Sequence, residues 1–311
     1  MSNDTRALVS LESATTIVPA AGTAPDPSAP ARPVGRRRVA RVGDGVLNVL
    51  LAALGVLMLS PFAWVFITSI STTKEAFSLP PVWLPSSVTL DNYRYVFDLI
   101  PFWHMALNSF KVSLIITVGS VVTSTLAAYA FARIRFPGSS LIFILLLSAL
   151  MVPQQVTVIP TFILIRNLGL LDTHEAIYLP ALINVFGIFL LRQFFLSIPR
   201  DLEDSARIDG AGHLRILLQL VVPLSGPAIS ALAIFIFQGA WNDFFWPNLF
   251  LTSPGRMTLP LGLVSLRGQF GGTSAVALFA AMSLIAIPIL ILFSFTQRFL
   301  TESIATTGIK G

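Results

Sequence analysis

Six apolar runs, each long enough to cross a bilayer, constrain this chain more than any other feature. They cover roughly residues 46–70, 107–132, 140–164, 176–196, 223–250 and 274–295. A spanning helix needs about 20 mostly apolar residues. Of the 311 residues only 11% are charged and 54% are hydrophobic, against about 25% charged in a soluble domain. The chain lacks the polar surface that water requires. These runs predict an all-α integral membrane protein with six transmembrane helices.

Residues 1–44 are rich in Ala, Pro, Ser and Thr and lack apolar periodicity. They cannot bury enough surface to fold and read as a disordered tail ahead of a membrane domain over 45–311. The tail ends in a basic cluster around "GRRRVAR". The following run is too long for the hydrophobic core of a signal peptide, so it reads as an uncleaved first span. Lys and Arg then set the orientation, because they accumulate on the inner side of a membrane. With the N-terminus inside, fourteen basic residues fall on inner segments and five on outer ones (Lys74, Arg94, Arg166, Arg256 and Arg267). Both termini are therefore expected in the cytoplasm. So is the long segment 197–222, and so is a C-terminal tail over 297–311.

Several function classes drop out. The absence of cysteine removes thiolate chemistry and thiolate metal ligation. His104, His174 and His213 are scattered without helical i, i+4 pairing, so no metal site is expected. The formal charge of +5 lies beside apolar runs rather than on a water-facing domain, which argues for membrane lipid and against nucleic acid. A phosphate-binding loop of the form GxxxxGK[ST] is missing, so the chain is not expected to hydrolyse ATP or to be an enzyme. No cofactor is expected.

The inner segment 197–222 is the most unusual stretch. Pro199 ends one span. Asp201 is a candidate helix N-cap, with Glu203 and Asp204 at the positive end of a short helix over 202–208. Gly210 stands where that helix would stop, and a second helix over 213–222 would carry Leu214, Leu217, Leu218 and Val221 on one face. Pro223 opens the next span. Ser205, Ala206, Gly210, Ala211 and Gly212 leave the tip free of bulk, as suits either close docking of another surface or a plain interfacial hairpin.

The order Asp204-Ser205-Ala206, three residues, Gly210, nine residues, then Leu220-Val221-Val222-Pro223 resembles the EAA loop of ABC-importer permeases. Asp204 replaces Glu, Ser205 replaces Ala, Leu220 replaces Ile and Val222 replaces Leu. The stretches "MVPQQVTVIPTFILIRNLGLLDT", "FGIFLLRQFFLSIPRDLEDSARIDGAG", "WNDFFWP", "LDNYRYVF" and the terminal "TTGIKG" extend the similarity to the smaller permease subunit of maltose-type carbohydrate importers. The resemblance covers about 46–311.

It implies the type I importer permease fold in the cell membrane. The implied partners are a second permease subunit, two ATP-binding cassette subunits and an extracytoplasmic solute-binding protein. Glu203, Asp204, Ser205, Ala206, Gly210 and Pro223 become candidate ATPase-coupling residues, and outer loop 252–272 a candidate contact for the binding protein. Polar groups within spans usually face a cavity or a helix neighbour. Gln154, Gln155, Asn184, Asn242 and Asp243 are thus candidate pathway residues. The rival reading is an ion-coupled secondary transporter, which would carry more ionisable groups at mid-membrane and a matching second set of broken helices.

Overall fold

The structure is a computed structural model and describes residues 35–269 and 275–307. All regular structure among them is helical: α1 (Gly35–Ser69), α2 (Thr73–Ala76), α3 (Asp91–Leu99), α4 (Phe102–Arg133), α5 (Ser139–Ser148), α6 (Gln154–Asn167), α7 (Glu175–Ala181), α8 (Val185–Ser197), α9 (Arg200–Ile208), α10 (His213–Ile216), α11 (Val222–Leu224), α12 (Gly226–Trp241), α13 (Phe245–Phe250), α14 (Leu259–Gln269) and α15 (Ala275–Thr307). Two compact units divide the chain after Met58. In the first, the described part is the leading stretch of α1, whose side chains over 46–58 are all exposed. Helix α1 begins at Gly35, inside the stretch expected to be disordered; residues 1–34 lie outside the described residues.

The second unit is organised around α4, which packs chiefly on α8 and α12, while α12 also meets α15. Helix α4 is inside-out by the standards of a soluble helix. Ser109, Ser113, Ser120 and Ser124 are at most 2% exposed, whereas Phe110, Leu114, Val118, Val122 and Leu126 form an exposed stripe at i, i+4 spacing. Large apolar groups facing outward is what hydrocarbon solvent allows. Small hydroxyl residues let helices approach closely and bond across the contact. Gly187 on α8 shows how close: a Cβ there would lie 2.7 Å from Ser124 Oγ and 3.0 Å from Leu232.

Among the described residues three helical segments are long and apolar enough to cross a membrane: Gly45–Ser69, Phe102–Arg133 and Glu175–Ser197, the last combining α7 and α8. Two expected spans are broken instead. The third bends by 102° between Ser139–Met151 and Gln154–Asn167, where Pro153 cannot continue a helix. The fifth was expected to run unbroken from Pro223; it bends by 80° between His213–Leu224 and Gly226–Trp241, and breaks again before α13. The sixth run becomes α15, apolar over Val276–Ile291, and its helical backbone continues to Thr307, through most of the segment expected to be a tail. Residues 308–311 lie outside the described residues.

Candidate functional site

Helix breaks inside a membrane leave backbone groups that only protein or trapped water can satisfy. The break between α7 and α8 has neither proline nor glycine over 182–184. Its carbonyls are met from α4: Ser120 Oγ donates to Ala181 O (2.7 Å), Thr123 Oγ1 to Leu182 O, and Ser124 Oγ to Asn184 O (3.3 Å). Asn184 caps α8 by accepting from the Gly187 N–H (2.7 Å). At the start of α13 the Asp243 carboxylate accepts from Phe245 N–H (2.9 Å) and Trp246 N–H (3.4 Å). Both side chains satisfy first-turn donors that a helix leaves unpaired.

These breaks meet. Gln154 at the start of α6, Asn184 at the start of α8 and Asp243 before α13 line one cavity of about 500 Å³ with Phe186, Phe235, Phe245 and Trp246. Asp243 is the one ionisable group among its lining residues. Gln155 and Asn242 are not in that lining; Asn242 instead donates to Gln238 O one turn back (3.0 Å). Of the five polar residues named from the sequence, three line this cavity, each at a helix break that the sequence did not show.

The hairpin over 197–222 forms, with altered details. Helix α9 starts at Arg200, behind Pro199, so Asp201 lies in its first turn and is not the cap; no side-chain capping bond is made. Gly210 takes φ +80°, and the bonds Ala211 N–H to Ala206 O and Gly210 N–H to Arg207 O (both 3.0 Å) close α9 in a Schellman turn. Ser205 Oγ donates to Asp201 O (2.8 Å). Asp204, Ser205 and Gly210 are exposed, and so is Pro223 in α11. Ile208 is 87% exposed at the tip, an apolar knob that hydropathy did not single out.

Two expectations fail here. Glu203, placed with the outward acidic residues, points inward: its Oε1 pairs with Arg133 Nε at 2.6 Å, both side chains at most 4% exposed. Helix α10 passes at Leu217–Val221 into a π-helical turn, which widens the repeat. The buried set is therefore Ile216, Leu217 and Val221, while Leu214 and Leu218 are exposed. A basic hollow of about 410 Å³ beside α9 is lined by Arg133, Arg135, Arg200, Arg207 and His213 with Glu203 and Asp204.

At the other end of α4, loop 252–257 is tied down. Asp172, at φ +58°, accepts from the Thr252 and Ser253 N–H groups (2.9 Å each) and from the Ser253 hydroxyl. The Ser253 hydroxyl and then these amides hold its carboxyl well below the usual carboxylate range. His104 and His174 bond the carbonyls of Gly255 and Arg256, and Asn108 donates to Gly255 O and Met257 O. Much of the rest of loop 252–272, expected on the outer side, is helix α14; residues 270–272 lie outside the described residues.

Comparison with known proteins now decides the class. Residues 114–306 match the family described as "Binding-protein-dependent transport system inner membrane component". The chain belongs to this family. It is 32% identical over 279 residues to the arabinooligosaccharides transport system permease protein AraQ of Halalkalibacterium halodurans, covering 89% of this chain and all of that one. It is 33% identical over 266 residues to the sn-glycerol-3-phosphate transport system permease protein UgpE of Salmonella typhimurium, covering 83% and 95%. Among solved structures, one chain of a bacterial ABC transporter that imports the acidic polysaccharide alginate superposes with a TM-score of 0.74 at 25% identity, over 84% of this chain and 97% of that one. The permease is thus an all-α inner-membrane component of a binding-protein-dependent ABC importer. It is a transport subunit, not an enzyme, and the ion-coupled alternative falls away.

Proposed function

We propose that this permease forms half of the pathway for an uncharged saccharide. Six spans, both termini cytoplasmic, would pair with a second permease subunit. Two ATP-binding cassette subunits would each grip one coupling hairpin, and a solute-binding protein would deliver the sugar outside. One observation carries the solute class: three helix breaks open on a single cavity that offers an amide from Gln154, an amide from Asn184, the Asp243 carboxylate and four aromatic side chains, with no cation in its lining. Hydroxyl-rich solutes bond to amides and carboxylates, and their apolar ring faces pack on aromatic rings. An anion would face Asp243 in a low-dielectric site without compensation. Relatives named for sn-glycerol-3-phosphate and alginate show that anionic cargo occurs among similar proteins, so the distinction has content.

In the coupling hairpin, Asp204, Ser205, Ala206 and Gly210 supply the docking surface, with Ile208 as an apolar anchor and Pro223 setting the turn into the next span. Glu203 leaves that set because it is buried on Arg133. Closure of the ATPases would draw the two hairpins together and reverse the access of the pathway. Proteoliposomes holding the full importer provide the test. Uptake should require ATP and the binding protein, and should favour a neutral oligosaccharide over sn-glycerol 3-phosphate or a uronate oligomer. Uptake without ATP would overturn the coupling reading, and preference for the anion would overturn the solute class.

A further inference from the structure

Arg133 is the last residue of α4, and its guanidinium touches three elements at once. Its Nε pairs with Glu203 of α9 at 2.6 Å, while Nη2 donates to Phe195 O (2.6 Å) and Ile198 O (2.7 Å) at the end of α8. Those carbonyls close α8: Phe195 O also accepts from the Ile198 N–H (3.2 Å), and Ile198 is the residue just past the helix, where intrahelical donors run out. The planar guanidinium is the side chain able to serve several acceptors in a fixed arrangement; an ammonium on a flexible stem is not. Both charged side chains are at most 4% exposed, so the arrangement is made inside the protein rather than at its surface.

A buried ion pair is weak evidence for stability, because desolvation offsets most of the attraction, and apolar residues of similar size often serve as well. Its remaining effect is geometric. Ala206 and Ala211 pack on the core and Tyr129 Oη lies 3.4 Å from His213 Nδ1, but the pair is what ties α9 to the end of α4 by charge. With it, the hairpin and the ends of α4 and α8 are one body. Nine residues back along α4 from Arg133, about 13 Å at the helical rise, Ser124 bonds the α7–α8 break. Ser120 and Thr123 act with it beside the cavity that Asn184 lines. An unbroken helix therefore connects the hairpin's buried anchor to the hydroxyls that hold the break.

We propose that Arg133 is a positioning residue for coupling: it fixes α9 to α4 and α8 so that displacement of the hairpin reaches the broken helices at the cavity instead of being absorbed in the loop. The proposal rests on α9 being the ATPase-docking element, and adds to it a specific route of transmission. It predicts that removing the pair leaves docking intact and loosens the link between ATP hydrolysis and transport.

The test uses the complete importer in proteoliposomes, measuring co-purification of the ATPase subunits, ATP hydrolysis and solute uptake together. In the double variant Arg133→Met with Glu203→Leu, assembly and hydrolysis should persist while solute moved per ATP falls at least tenfold. Arg133→Lys, which keeps the charge but cannot reach all three acceptors, should fall between. An unchanged ratio overturns the proposal, and loss of ATPase assembly overturns it too, since the pair would then serve docking. If the double variant does not accumulate in the membrane, the isosteric Glu203→Gln carries the same test: a reduced ratio supports the proposal and a wild-type ratio refutes it. Gly210→Val separates the two readings. If it assembles and transports normally, the docking assignment fails whatever the Arg133 variants do.

Discussion

Substitution of Gly210 separates backbone strain from partner contact, because the chain itself leaves the position empty. A Cβ added there meets nothing within 4 Å, and the residue sits at φ +80°. The intrinsic cost of a side chain is then purely conformational, about 1–2 kcal/mol for an ordinary residue held in the left-handed region. That corresponds to roughly a 5–30-fold loss in population of the closed turn, since each 1.4 kcal/mol is about a factor of ten. Asn tolerates this conformation several-fold better than most residues yet is larger than Ala. The series Gly210→Ala, Gly210→Asn and Gly210→Val therefore orders differently by strain and by size. If the tip enters a groove on the ATPase, Asn should weaken association more than Ala despite its lower strain, and Val should abolish both association and uptake. The assay is titration of ATPase subunits onto permease in nanodiscs, with uptake measured in parallel. Undiminished association and uptake by Gly210→Val would refute the reasoning, and an order set by strain alone would confine Gly210 to shaping the turn.

Other expectations follow from the same geometry. Gly187→Val should destabilise the fold by about 1–3 kcal/mol, since its Cβ would press on Ser124 Oγ and Leu232 in a packed interface; an unchanged thermal unfolding midpoint would contradict the packing described. Asp243→Ala should cost about 0.5–2 kcal/mol by removing the cap of α13, whereas Asp243→Asn keeps an acceptor and should cost less; equal losses in thermal unfolding would remove Asp243 as a cap. The carboxyl of Asp172 is held below its ordinary value of about 3.9, so its contribution is full above that pH and is lost as pH falls towards the depressed value. Hydrogen exchange at Thr252 and Ser253 should therefore be unchanged between pH 7 and 5 after correction for intrinsic rates, and should accelerate below about pH 4; identical protection in Asp172→Asn would show that the carboxylate charge does not hold the loop.

What could be read from sequence and what could not divide along a physical line. Apolar runs were legible because hydrocarbon imposes length and composition directly, whereas the bend of the third was not foreseen although Pro153 stands at it. Nor was the break over 182–184, since nothing local forbids a helix at that point. There the hydroxyls of Ser120, Thr123 and Ser124, some 60 residues away, donate to the freed carbonyls. Glu203 illustrates the same limit. The sequence set it beside Asp204 at the helix start as a coupling contact, but its direction is set by Arg133, 70 positions earlier in the chain. In the second helix of the hairpin, a 3.6-residue repeat found Leu217 and Val221 but not Ile216, and wrongly added Leu214 and Leu218, where the π turn at Leu217–Val221 changes the period. The small-residue tip, by contrast, was plain from composition, and Gly210 takes the left-handed conformation that glycine favours.

The proposed coupling requires contact between the α9 hairpin and an ATPase subunit. The chain has no cysteine, so a single introduced thiol reports without background. Ser205→Cys, on the exposed face of α9, should cross-link to an ATPase subunit in the assembled importer, with a yield that changes on ATP binding. Leu84→Cys, exposed in the segment between α2 and α3, should give no such product. A cross-link at 205 alone, sensitive to nucleotide, is the predicted result. No product at 205 in an importer that retains its ATPase subunits would contradict the coupling role assigned to this hairpin.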